Sequence, residues 1–248
     1  MIVVEDGDRL RLVTQCDHAH LAADLLALWR PLAGVDGREV LLRATRCHDD
    51  GWQRVDAAPP VDDAGRPHDF LSLPWSLRFE VWDRGTAAFA AEPEVALLIA
   101  EHALALLGGP SPGDEPEEAD PPARRLVELV ETRRQTLLET LGPRAAAVLA
   151  LYPWLRAADL LSLAITNRWQ GRELECALPG QERPLRAMLL DGALLLDPFP
   201  YVGATTFRYA ERRVESRPYR DRVDLGGSLA AAPWISQRVS IRSRLPGR

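Results

Sequence analysis

The spacing of apolar residues changes character once along this chain, and that change limits the folds open to it. From Cys16 to Trp169 apolar residues recur at helical intervals, whereas beyond Gly171 they alternate as in strands. Before Cys16, "IVVEDGDRLRLV" reads as a β-hairpin turning at Asp6, Gly7 and Asp8. A chain of 248 residues is long enough to bury a sizeable core as one domain with an appendage. The pattern predicts a mainly α protein, α+β overall, with a small antiparallel β element formed by the N-terminal hairpin and the C-terminal strands. Residues 1–170 form the helical domain in this reading, and residues 171–248 a β-rich extension packed on it.

Local signals refine the outline. "CDHAHLAADLLALW" is a helix with Thr14 or Asp17 as N-cap, ended by Pro31 and Gly34. "LLRATRCHDDGW" closes a second helix, with Gly51 as the residue just past its end. "QRVDAAPPVDDAGRPHDF" reads as a loop, and "PWSLRFEVWDRGTAAFA" and "PEVALLIAEHALALLGG" as two further helices. Residues 108–122, acidic and Pro-rich, read as a disordered insert. Pro153 breaks the helical run that follows, and Asp-Gly in "MLLDGALLLDPF" marks a hairpin.

Composition excludes several functions. The net charge of −6 argues against general affinity for nucleic acid or anionic membrane. No signal peptide opens the chain, and no apolar run reaches the roughly 20 residues that span a bilayer, so cytoplasm is the expected compartment. Cys16, Cys47 and Cys176 are too scattered for a disulfide framework or a paired-cysteine zinc site. Every basic residue is arginine, which rules out Schiff-base catalysis by lysine.

Histidine is scarce, and its placement carries the chemistry. His102 falls on the same helical face as Val95, Ile99 and Leu106, so it points inward. His18 is followed by the small Ala22 and Ala23, whereas His20 faces nearly the opposite way and reads as a surface residue. His48 and Asp49 adjoin at the end of the second helix, where the macrodipole disfavours the negative charge of Asp49 and Asp50. Asp159 lies in the apolar "LRAADLLSLAI", where an ionised carboxylate needs a partner or a metal. Read alone, it would pair with Arg156, three residues earlier. Imidazoles and carboxylates on separate helices are a common way to build a metal site.

An early helical histidine, an adjacent His-Asp pair and a late helical aspartate together resemble the HD (His-Asp) superfamily of metal-dependent phosphohydrolases, over roughly residues 14–169. "TQCDHAHLA", "HDDGW", "LIAEHALALL", "AADLLSL" and "LDPFPY", in this order, are similar to a bacterial domain-of-unknown-function family, number 3891, over nearly the whole chain. The HD resemblance implies a helical bundle in which His18, His48, Asp49 and Asp159 hold one divalent ion, Mn²⁺, Fe²⁺ or Mg²⁺. It places His102 with the histidines that bind a second ion in two-metal members. The usual pair of such histidines is not evident, His68 being the only other candidate. Asp50, next to the metal pair, is the candidate catalytic base, and Arg43, Arg46 and Arg156 are candidates to clamp a phosphate.

The function so implied is hydrolysis of a phosphate ester or nucleotide, a small-molecule substrate, by metal-activated water. Two alternatives use the same residues. One is a di-iron oxygenase of the HD type, and the other a non-catalytic metal-binding or regulatory module.

Overall fold

A computed structural model describes residues 1–107 and 121–244 of the chain. The expected disordered insert, residues 108–122, lies outside the described residues apart from its last two, which open a helix.

The N-terminal hairpin forms as its pattern predicts, with β1 (Ile2–Asp6) antiparallel to β2 (Arg9–Val13). Thr14 then caps α1 (Gln15–Ala27), its hydroxyl accepting from the Asp17 amide. A single 3-10 turn at Arg30–Leu32 leads to α2 (Arg38–Cys47). The loop expected at residues 53–70 begins instead as a short helix, α3 (Gln53–Ala57), before becoming irregular. The next two helices, α4 (Trp75–Ala87) and α5 (Pro93–Leu107), lie where the helical spacing puts them. After α6 (Pro121–Leu141), the apolar run divides into α7 (Arg144–Leu149) and α8 (Tyr152–Thr166), with Pro153 in the first turn of α8. There its missing N–H leaves no helical bond unmade.

The C-terminal part contains β3 (Glu173–Cys176), β4 (Leu185–Leu190), β5 (Ala193–Asp197), β6 (Thr205–Glu215), α9 (Arg222–Ala231) and β7 (Ile235–Ser243). The β4–β5 hairpin turns at Asp191 and Gly192, both at positive φ (48° and 75°), as a two-residue hairpin turn requires.

The strands overturn the expectation of a mainly α, HD-like helical bundle carrying a small antiparallel element. They form one seven-stranded sheet in the order β1-β2-β6-β7-β5-β4-β3. The sheet is mixed, because β5 and β7 run parallel while the other pairs are antiparallel. The chain ends meet through β2 and β6, with Leu10 opposite Val214 and Leu12 opposite Arg212. The protein is therefore α+β, with a large sheet as one of its layers. Alternation within a strand marks the strand but not its distant partner, which is why the size of the sheet escaped the sequence pattern.

One continuous core links helices to sheet. Leu21 and Leu25 of α1, Trp29 just beyond it, and Leu161 and Ile165 of α8 belong to the same buried cluster as Leu194, Leu196, Phe207 and Ile241. A smaller cluster on the other side joins Leu10, Leu12 and Val214 to Leu225 and Leu229 of α9. Among the described residues, the run Arg144–Thr166 is long and apolar enough to cross a membrane by length and composition alone, a test that the core helix of a globular fold also passes. However, 61% of its apolar window is buried inside the protein.

Candidate metal centre

Four elements bring the site together. His18 sits one turn into α1, His48 is the C-cap of α2 with Asp49 just beyond, His102 lies midway along α5, and Asp159 lies midway along α8. All five side chains are buried, none more than 6% exposed. Their ligand atoms form two groups, His18–His48–Asp49 and His48–His102–Asp159, with all atoms of each within 4.8 Å of one another.

Asp49 Oδ2 is 2.8 Å from His18 Nε2 and 3.5 Å from His48 Nε2. Asp159 Oδ1 is 3.4 Å from His48 Nε2 and 3.8 Å from His18 Nδ1, while its Oδ2 is 3.9 Å from His102 Nε2. Asp159 therefore faces three histidines, and Arg156 forms no ion pair with it among the described residues.

Backbone and hydroxyl groups set the imidazole tautomers. His48 Nδ1 donates to the Thr45 carbonyl at 2.7 Å, so in the neutral ring the lone pair is on Nε2. That Nε2 is buried and has no hydrogen-bond partner, although two carboxylates face it. The Ser162 hydroxyl donates to the Asp159 carbonyl oxygen at 2.8 Å, so toward His18 it can only accept. It thus fixes the proton on His18 Nδ1, 2.8 Å away, and leaves Nε2 as the ligand atom in the neutral ring. Tyr152 Oη, 3.4 Å from His102 Nδ1, occupies the corresponding position at the third ring.

The electrostatics favour positive charge at the centre. Burial alone would depress the His48 pKa, but the Asp49 and Asp159 carboxylates and the Thr45 carbonyl outweigh it and raise the value to about 9. Burial dominates at His102 and pushes it down to about 4, Asp159 offsetting only part of the effect. Burial would also raise Asp49 and Asp159, yet the surrounding imidazoles hold both below the ordinary carboxylate range. Two carboxylates and three imidazoles sharing a dry space need positive charge, supplied by a proton or by a metal ion.

The other candidates are placed elsewhere. The Asp50 carboxylate approaches Cys16 Sγ at 3.9 Å, and Cys47 also contacts it, so its described contacts include none of the five clustered residues. His68 sits in the loop beside Ser72, 3.3 Å from its hydroxyl, and His20 is exposed on α1. Arg43 pairs with Glu92 and Arg46 with Asp24, which leaves Arg156 unpaired among the described residues. Gly51 is not a helix stop: it is buried in a 3-10 turn, with its Cα against Gly85 of α4. Thr45, Ser162 and Tyr152 were missed from sequence. Thr45 and Ser162 each stand one helical turn from a ligand, at i−3 from His48 and i+3 from Asp159, which was the available signal.

Fold and site thus define an α+β protein whose helical layer encloses a buried three-histidine, two-aspartate centre that could hold a metal ion. The chain belongs to the family described as "Protein of unknown function (DUF3891)", whose model matches residues 1–216 and so includes all five residues. No curated protein and no solved structure gives a match to the chain.

Proposed function

We propose that this centre binds one divalent ion and that the protein is a metal-dependent hydrolase of phosphate esters or nucleotides, related to the HD superfamily through the order of its ligands. The observation that carries the reading is His48 Nε2, a buried ring nitrogen held between two carboxylates with no hydrogen-bond partner. Nitrogen and carboxylate donors together suit Mn²⁺, Fe²⁺ or Mg²⁺ in octahedral coordination rather than a closed thiolate zinc site. His48 belongs to both ligand groups and its Nδ1 is engaged by Thr45, so its single free lone pair supports one ion rather than two.

His18, His48, Asp49, His102 and Asp159, in two groups that share His48, are the residues that would hold such an ion. A divalent ion there would supply Lewis acidity, lowering the pKa of a coordinated water and polarising a phosphoryl oxygen. The protein's own residues perform the remaining tasks. Thr45 and Ser162 orient the His48 and His18 rings, the two carboxylates balance charge, and burial keeps bulk water out. Arg156, unpaired and one turn before Asp159, is the cation available to an anionic substrate group.

The test is metal analysis of the purified chain, followed by Mn²⁺ and Fe²⁺ titration and an assay panel of p-nitrophenyl phosphate, bis-p-nitrophenyl phosphate and nucleoside mono- and triphosphates. About one equivalent of metal and turnover that Asp159→Asn abolishes are expected. Less than about a tenth of an equivalent after titration would overturn the metal centre. Metal without turnover across the panel would leave a non-catalytic metal-binding module.

A further inference from the structure

A separate cavity of about 350 Å³ opens on the sheet face that α9 covers, and none of the five residues of the metal centre lines it. Its wall is mostly apolar, with Leu12 of β2, Ala57 of α3, Leu229 of α9 and the ring of Trp234. Trp234 is 51% exposed and borders the open side of this cavity. Leu229 and Trp234 lie beyond residue 216, where the family match ends.

Two charged side chains reach the cavity from the sheet and α3, and they differ in one respect. Asp56 is charge-compensated: its Oδ1 forms an ion pair with the Met1 ammonium at 2.6 Å, and its Oδ2 accepts from the Gln15 amide at 2.6 Å. Arg212 is not. Its Nε is buried without an acceptor, and no carboxylate forms an ion pair with it among the described residues. Its guanidinium carbon lies over the Trp234 ring, 4.0 Å from the centroid. That stacking supports the cation's face but leaves its in-plane donors unused. Its neighbour Arg213, on the opposite face of β6, is paired with Glu211. The uncompensated charge therefore belongs to the cavity side alone.

We propose that this cavity is a binding site for a small organic acid, with its carboxylate on Arg212 and its apolar body between Leu12, Leu229 and Trp234. A volume at the lower end of ligand pockets fits a single aromatic ring or a medium-length alkyl chain rather than a nucleotide. One negative charge matches the one unpaired guanidinium. A multiply charged phosphate would find no second unpaired cation among the lining residues, because Asp56 already holds the Met1 ammonium.

Isothermal titration of the full chain with phenylacetate and octanoate, each against its neutral amide, tests the site. At least one acid should bind one per chain with a Kd below about 1 mM, and its amide at least about tenfold more weakly. Arg212→Gln should weaken the acid by about tenfold or more while far-UV circular dichroism and metal content stay unchanged. Trp234→Ala, at a half-exposed position, should also weaken it if the glutamine variant fails to fold. Binding should survive removal of metal by EDTA, which separates this site from carboxylate capture at the metal centre. Failure of both acids to bind, equal affinity for acid and amide, indifference to both substitutions, or loss of binding with EDTA would each overturn the proposal. The metal reading would stand in every one of those cases.

Discussion

His48 Nε2 stands 3.4 Å from Asp159 Oδ1 and 3.5 Å from Asp49 Oδ2, buried and without a hydrogen-bond donor of its own. The C-terminus of α2 and the middle of α8 meet at this atom, so its loss should disconnect the two ligand groups. His48→Ala is expected to reduce bound divalent metal from about one equivalent to less than about a tenth, with Asp159→Asn close behind. Inductively coupled plasma mass spectrometry on dialysed protein reads the result. Unchanged stoichiometry in both variants would place the metal elsewhere.

Ser162 touches no ion in this scheme, and it should matter all the same. Its hydroxyl donates to the Asp159 carbonyl and receives the His18 Nδ1 proton, which holds the ring with Nε2 toward Asp49. Ser162→Ala should weaken metal binding by about 10–100-fold without abolishing it, the range typical when a group orienting a ligand is removed. Competition against a chelator of known affinity measures the change. Ser162→Thr, which keeps the hydroxyl, should recover much of it.

In metal-free protein the centre gives stability a definite pH dependence. His48 is raised to about 9 in the fold, from an ordinary value near 6.5. Its contribution is therefore complete below about 6.5 and fades as pH rises through about 9. His102 is lowered to about 4, so the unfolded chain takes up a proton below about 6.5 that the fold resists, and stability falls on that side. Asp49 and Asp159, held low, withdraw their contribution as pH falls below about 4. Chelator-treated protein should melt highest near pH 6–7 and lower at both pH 5 and pH 9. Metal replaces the His48 proton, so Mn²⁺ affinity should rise by about tenfold per pH unit between pH 6 and 8. A melting temperature flat across this range in the absence of metal would contradict the assigned environment.

The clustering of these polar side chains was legible in the sequence because each breaks a local rule. His102 and Asp159 are polar groups on apolar helical faces, and Asp49 follows a helix end that disfavours it. Thr14 as cap, the Asp191–Gly192 turn and the division before Pro153 were legible for the same reason, since each is a local backbone requirement. The seven-stranded sheet was not. Its decisive contacts join Leu10 to Val214 and Ala193 to Ser240, and neither pairing leaves a trace in the spacing of either strand. Gly51 was misplaced because the helix ends at His48, turning the next residues into a 3-10 turn that faces Cys16 and α4.

That turn yields a sharp stability prediction. A methyl group on Gly51 would overlap the Val81 carbonyl oxygen and come within 3.0 Å of the Gly85 amide nitrogen, all backbone atoms of α4 that cannot rotate away. Gly51 is not at a positive φ, so the demand is for space rather than for backbone freedom. Gly51→Ala should destabilise the chain by about 3 kcal/mol or more. Because Asp49 is two residues away, metal affinity should fall with it. Gly85→Ala, whose added carbon would lie 3.5 Å from Gly51 Cα, should cost less. Urea denaturation of the pair in excess metal compares them.

The junction between the chain ends rests on a buried ion pair. Arg11 of β2 donates from Nε to Glu211 of β6 at 2.9 Å and pairs with it again through Nη2. Glu211 also accepts from Arg213 at 2.8 Å and from Gln237 at 2.9 Å. Both partners are essentially inaccessible, and Arg11 Nη1 has no acceptor, so the pair has little reserve. Glu211→Ala should strand the Arg11 charge in the core and cost about 3–5 kcal/mol. Replacing both charges, as Arg11→Met with Glu211→Leu, should recover most of that loss, because two apolar side chains leave nothing buried and unpaired. Chemical denaturation of the two single variants and the double variant decides the matter. A double variant no more stable than Glu211→Ala would mean that the pair itself, rather than the avoidance of a stranded charge, holds β2 against β6.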